Sequence, residues 1–276
     1  SILNHDLEVV NKWSKQWLVE FNPNKTEAIL FTTRKNIPHP SLIFSNTHLT
    51  YVEHHKHLGI TFSHNAKWHD HIENICASAC KILGMMRKVK FLLSRKTLNQ
   101  IYISFLRPTL EYASVVWDGC AQYEKDRLER IQHEAARIVT GLTRSVSIHK
   151  LYTEIGWLLL SERRIYQKLI IAYKANNGLV PDFISSIFPH SVGSNIQYDL
   201  RNSCDYTVQN MRTQIFANSF IPSCLSSWNS LSEDLRQAQS IAIFKRSLMS
   251  NYFKVEPTPL QYLMGNRKHS LLHARL

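Results

Sequence analysis

No Asp-Asp pair occurs anywhere in the 276 residues, and neither does a Walker loop, a GxGxxG or a GxSxG. P-loop nucleotide chemistry, a Rossmann dinucleotide site and an α/β-hydrolase nucleophile elbow are therefore not signalled. The five cysteines form no set of close pairs that would suggest a disulfide framework, which points to a reducing, intracellular setting, nucleus and cytoplasm undistinguished. Long apolar runs are missing too. The longest, Trp157–Leu160 and Leu169–Ala172, fall far short of a bilayer, so no membrane partner is expected. The chain has no charged-then-apolar leader and opens on SILNHDLEVV, in the manner of a helix already under way. That suggests a piece of something longer.

One absence is local. Between Glu73 and Glu111 there is no acidic residue, while Lys81, Arg87, Lys88, Lys90, Arg95, Lys96 and Arg107 fall in that interval. Lys81 and Lys88 lie seven apart, on one helical face opposite Leu83 and Met86. Over the whole chain Lys+Arg is 33 against Asp+Glu 21, a formal net charge of +12. Unbalanced cations opposite a buried face are what phosphate binding requires, and these seven residues are the candidate nucleic-acid contacts. A merely solvated basic face is the plainer alternative.

The patterning that is present is mostly helical. Leu3, Leu7, Val10, Trp13 and Trp17 predict an amphipathic helix over 2–17. Short β-type runs follow at Glu27–Thr33, Ser41–Ser45 and Leu58–Phe62. From Trp68 onward the period is helical. Leu98, Ile101, Tyr102, Phe105 and Leu106 make one face, and Pro108 must kink or restart that helix. Leu110, Ala113 and Trp117 make a second face, and Leu128, Ile131, Ala135 and Ile138 a third, closed by Gly141. Ser161 can cap a further helix buried through Ile165, Leu169, Ala172 and Tyr173. A strand at Tyr206–Gln209 and helices near Ile215–Trp228 and Ile241–Tyr252 complete the expectation, with a frayed tail after Glu256. The fold class is mostly α with a small N-terminal α+β portion: a helix and short antiparallel strands, then a helical bundle.

Two other constellations carry chemistry on paper. His54, His55, His57, His64, His69 and His71 crowd one region with Cys76 and Cys80 just beyond, yet their spacing matches no standard metal motif. Glu111 and Asp118, seven apart, could share a face and hold Mg²⁺, but each is more simply a helix-end residue. Trp68, Tyr102, Tyr112 and Trp117 lie near the basic interval, where core packing competes with base stacking.

Several ordered segments resemble the C-terminal part of the reverse transcriptases of non-LTR (LINE-type, jockey-like) retrotransposons. They run from Trp13 to Trp17, through His57-Leu58-Gly59-Ile60, Trp68 and His71-Ile72, to Arg107-Pro108, Leu110–Ala113 and Trp117-Asp118. Leu128-Glu129, Ala135-Ala136-Arg137, Thr140-Gly141, Gly156-Trp157, Arg163-Arg164, Asn177–Leu179, Leu200-Arg201, Arg212-Thr213, Trp228-Asn229 and Phe244-Lys245 continue the order. The resemblance implies a palm edge over 1–66, a thumb-like helical domain over 67–180 and a C-terminal helical or irregular region over 181–276. It also implies that Leu58 and Gly59 form a primer-support hairpin. The implied partners are template–primer RNA and DNA, gripped without sequence preference, and upstream fingers and palm. The family's catalytic carboxylates, with their Mg²⁺, belong to that upstream palm. The resemblance thus assigns this chain no catalytic residue and no cofactor of its own, and an α-helical protein-interaction module or relic reading frame is the alternative.

Overall fold

The computed structural model describes residues 2–34, 37–189, 205–208 and 210–253. The chain is mostly α with a small N-terminal α+β portion. It forms two compact units, dividing at Glu73/Asn74.

In the first unit, α1 (Ile2–Gln16) precedes six short strands: β1 (Glu27–Ala28), β2 (Ile43–Phe44), β3 (Thr47–His48), β4 (Thr50–Tyr51), β5 (His54–His57) and β6 (Ile60–Ser63). They pair only in twos: β1 with β4 in parallel, β2 with β3 and β5 with β6 antiparallel. The two hairpins turn through residues in the left-handed region, Ser45-Asn46 and Leu58-Gly59, as two-residue hairpin loops require. Leu58-Gly59 is thus the tip of a hairpin with His57 opposite Ile60, and the Leu58 side chain stands in solvent.

The expected helix at the N-terminus forms, but its apolar face is not the buried one. Asn11 and Ser14 are buried, whereas Leu3, Val10, Trp13 and Trp17 are exposed. The reason is polar docking onto the β2–β3 hairpin. Asn4 donates to the Ser41 carbonyl and accepts from the Ile43 N–H, both at 3.1 Å, and Asn11 accepts from the Ser45 hydroxyl at 2.8 Å.

His71, near the start of α2 (His69–Val89), accepts the Thr61 N–H through Nδ1 at 3.3 Å. Burial, then the Lys56 charge, hold its pKa below the ordinary 6.5. The folded chain therefore binds fewer protons than the unfolded chain just below that value, and its stability falls as pH drops through it. Replacing His71 with Gln keeps an acceptor and removes the titration. Thermal unfolding at about pH 7.5 and about pH 5.5 should show a smaller acid-induced drop in the variant than in the parent.

The second unit is built on helices. Past the α2–α3 turn, α3 (Arg95–Ile101), a π-helical turn (Tyr102–Leu106) and α4 (Arg107–Glu111) run as one rod, followed by α5 (Ser114–Trp117) and α6 (Gln122–Thr140). The π turn alters the expected face. Leu98, Tyr102, Leu106 and Leu110, spaced at four, are all buried, while Phe105 swings out to solvent. A π turn has a longer period than 3.6, so residues four apart stay in phase through it. It also lies immediately before Pro108, which has no N–H to offer, and the helix continues through that residue. Ala113, in the left-handed region, breaks the rod, and the buried Trp117 indole donates to the Tyr112 carbonyl at 2.8 Å across the break.

Beyond Gly141, whose positive φ closes α6, come α7 (Ile148–Ile155) and α8 (Leu160–Asn176). Ser161 is not the cap of α8. The Leu159 N–H is taken by Glu162 at 2.8 Å, and the Leu160 N–H by Glu129 of α6 at 3.1 Å. The short α9 (Asp182–Ser185) and α10 (Gln214–Ala217) are followed by α11 (Phe220–Asn229), α12 (Glu233–Arg236) and α13 (Ile241–Ser247). This region packs against α8, burying Leu169, Tyr173, Leu225, Trp228 and Phe244 together. Tyr206 makes an isolated bridge, and the remainder of the expected strand reaches Gln209, outside the described residues. The segment Leu200-Arg201 and the tail after Glu256 also lie outside them.

Candidate nucleic-acid interface

The long helix α2 buries Ile75, Ala79, Leu83 and Met86 and turns Lys81, Arg87 and Lys88 to solvent, as the spacing predicts. The helix ends at Val89. The short turn that follows carries Lys90, whose ammonium sits 4.6 Å from the centroid of the Phe91 ring. Ser94 then caps α3, accepting the Thr97 N–H at 3.1 Å, and the first two residues of that helix are Arg95 and Lys96. Arg107 is half-buried at the first position of α4.

The interval without acids in sequence is not without acids in space. Glu134 of α6 takes Arg87 at 3.2 Å, together with Arg137 at 3.1 Å and Arg144 at 3.6 Å. Glu154 of α7 takes Arg95 at 2.7 Å, with the arginine largely covered. The seven candidates therefore separate by environment. Arg95 is a structural tie between α3 and α7. Arg87 is in an exposed pair of the kind that contributes little and exchanges readily. Lys81, Lys88 and Lys96 are exposed and, among the described residues, form no ion pair. They are the cations of this stretch best placed to meet phosphates.

Of the four aromatics near the stretch, Tyr102 and Trp117 are fully buried and Trp68 is half-buried, while Tyr112 is exposed. Tyr102 stacks on Trp157 at 3.5 Å between centroids and donates to Gln132 at 2.6 Å, and Gln132 donates to the Leu158 carbonyl at 2.9 Å. Burial first, then Glu111, push its hydroxyl pKa well up, so it stays a donor. Phe91 is an exposed ring that touches one of the cations, Lys90.

A buried ionic cluster joins α5, α6 and α8. Asp118, at the end of α5, is buried and meets three cations: Lys168, Arg164 and Lys125. The Arg164 Nε approaches to 2.7 Å as an ion pair without hydrogen-bond alignment, and Lys125 to 3.3 Å. Lys168 also donates to the Ser223 hydroxyl at 2.8 Å. Burial pushes the Asp118 carboxyl up, but Lys168, Lys125 and Arg164 outweigh it and hold the pKa below the ordinary 3.8. Glu111 is gripped through both oxygens by Arg163, the residue before Arg164 on α8. Glu129 shows the opposite balance. Burial raises its pKa although the Leu160 and Ser161 N–H groups and Arg164 draw it down.

Glu111 and Asp118 do not share a site. Each is neutralised by its own cations, so a Mg²⁺ ion would have to displace a guanidinium or an ammonium. Among the described residues no three His, Cys, Asp or Glu side chains gather to hold a metal. The histidines pair instead with single acids, His55 with Glu27 at 2.8 Å and His54 with Asp70 at 3.3 Å. Also among the described residues, no helix is long and apolar enough to cross a membrane.

In sequence, 149 residues, 51% of the chain, are 22% identical to the "Probable RNA-directed DNA polymerase from transposon X-element" of Drosophila melanogaster, covering 16% of that protein. A second stretch of similarity, 24% identical over 158 residues and 54% of the chain, is to the "Probable RNA-directed DNA polymerase from transposon BS" of the same organism, covering 17% of it. The matched region thus spans about a sixth of the length of these curated relatives. No protein-family model and no solved structure matches the chain. Over about half its length the chain is thus similar to RNA-directed DNA polymerases of transposons.

Proposed function

We propose that this chain is a non-catalytic segment of a retrotransposon reverse transcriptase that grips the template–primer duplex through its phosphates, without sequence preference. In that reading residues 1–66 are the edge of the palm, 67–180 a thumb-like helical domain and 181–276 a C-terminal helical or irregular region. The Leu58-Gly59 hairpin tip supports the primer terminus. The observation that carries the reading is the solvent exposure of Lys81, Lys88 and Lys96, the first two opposite the buried apolar stripe of α2, in a chain similar to RNA-directed DNA polymerases of transposons. Phosphate contact there displaces condensed counterions, so binding to a duplex of any sequence should weaken steeply with salt. Titration of a mixed-sequence duplex at several salt concentrations tests this. Binding that is indifferent to salt would rule the reading out.

Synthesis itself requires two metal ions held by carboxylates, and the chain has no Asp-Asp pair to hold them. The purified chain should therefore give no primer extension on a primed RNA template with Mg²⁺ or Mn²⁺ above a no-protein control. Mg²⁺ belongs, in this proposal, to the palm of the larger polymerase.

One observation favours a second reading, a protein-interaction module. The α1 helix turns Val9, Val10, Trp13 and Trp17 outward, an apolar row that a protein partner could cover. Salt-independent duplex binding, or none, combined with loss of a protein complex on Trp13→Ala would support it.

A further inference from the structure

The turn between α2 and α3 holds two large apolar side chains out in solvent: Phe91 is 84% exposed and Leu92 82%. Their exposure is imposed by local geometry. The Leu92 and Leu93 N–H groups both donate to the Val89 carbonyl, at 3.0 and 3.1 Å, and Ser94 caps the next helix. Leu98, one turn into α3, is fully buried and anchors the far side of the turn. Between these fixed ends Phe91 and Leu92 project together. Cations stand on both sides: Lys88 before them, Lys90 against the Phe91 ring, and Lys96 after.

We propose that Phe91 and Leu92 form an apolar wedge that packs against the bases of a bound nucleic-acid duplex, while the neighbouring lysines hold its phosphates. The inference rests on the nucleic-acid reading above and adds a contact to the bases. Phe and Leu are among the side chains that proteins insert between base steps, and an aromatic face stacks on any base, so the contact needs no sequence preference. The charge on both flanks matches a polyanion whose backbone runs past the inserted group on either side. A bilayer fits less well. Two side chains on a tight turn bury little apolar surface, and interfacial anchoring relies on a whole helix face or a second lipid signal.

The test uses the full chain and a duplex containing 2-aminopurine, titrated over a range of salt. The parent is compared with the F91A/L92A variant and with the charge-reversed K81E/K88E/K96E variant. F91A/L92A should bind roughly ten- to a hundred-fold more weakly at every salt concentration, with an unchanged log–log slope, because the lost contact releases no counterions. The rise in 2-aminopurine fluorescence on unstacking should vanish with it. Both side chains are exposed, so the unfolding midpoint should not move. If F91A/L92A binds and perturbs the probe as the parent does, while charge reversal weakens binding, the wedge is wrong and the phosphate grip stands. If the parent does not bind duplex, both fall. Binding to phosphatidylserine–phosphatidylcholine vesicles that depends on Phe91 and Leu92, with duplex binding indifferent to them, also overturns the proposal.

Discussion

Replacing Asp118 with Ala should cost roughly 3–5 kcal/mol of stability, among the largest single-residue effects expected in this chain. The carboxylate is buried and touches Lys125, Arg164 and Lys168, of which Arg164 and Lys168 are themselves almost fully covered. Removing it takes from those two interior charges their shared counter-ion; Lys168 keeps the neutral Ser223 hydroxyl and Arg164 the attraction of Glu129, and a buried charge short of compensation is penalised far more than a buried pair is rewarded. Urea unfolding should show the loss as a lowered midpoint with little change in slope. A variant that also removes one of the two stranded cations, D118L/K168M, should recover part of it, since an apolar pair of similar volume often replaces a buried ion pair at little cost, while Arg164 stays in place. The pH dependence has a definite sign. The folded carboxyl has a pKa below 3.8, so its contribution is complete above that value and is lost as pH falls through the lower, folded pKa. The D118A variant should lack that component of acid denaturation. Full stability in D118A would mean that the cluster is solvated and structurally idle.

Sequence patterning and structure agree most closely where helices bury long apolar stripes. Leu128, Ile131, Ala135 and Ile138 of α6 are all covered, and Gly141 ends the helix with a positive φ, because both features depend only on neighbours within a turn or two. What was not legible depends on residues far apart in the chain. Lys168 meets Asp118 across 50 positions, and Arg95 meets Glu154 across 59. No local pattern could show that Glu134 and Glu154 return to an interval free of acids. The buried face of α1 escapes a local pattern for the same reason: it is set by Asn4 and Asn11 bonding to a hairpin more than thirty residues away. Phe105 leaves the face that a period of 3.6 predicts because a π turn intervenes. The apolar tip did leave a signal. Phe91-Leu92-Leu93 sits between the end of one helical period and the cap at Ser94, where at least one of three consecutive apolar residues has to face outward.

Charge reversal at Lys81, Lys88 and Lys96 should weaken duplex binding on the order of several hundred-fold at about 0.1 M salt, before any added repulsion. The figure follows from counterion release. Each phosphate contact contributes roughly −0.9 to the log–log slope, so relative to about 1 M salt each is worth roughly 0.9 log unit at about 0.1 M, and three contacts together about 2.7. The slope should flatten by the same three contacts, and mixed-sequence DNA and an RNA–DNA hybrid should follow the same trend. Arg95 is left unchanged because it is tied to Glu154, and its reversal would disturb the α3–α7 contact as well as the surface charge. The control is an equal change of charge elsewhere: Arg212, Lys245 and Arg246, all exposed and outside the α2–α3 region. That variant should keep most of the affinity and nearly the full slope. Long-range attraction depends on net charge, and at this ionic strength it is screened within about 10 Å, so only cations that touch the duplex should carry the slope. If the two variants lose affinity equally, the chain binds as a diffuse polycation, and the row on α2 and α3 has no special place in it.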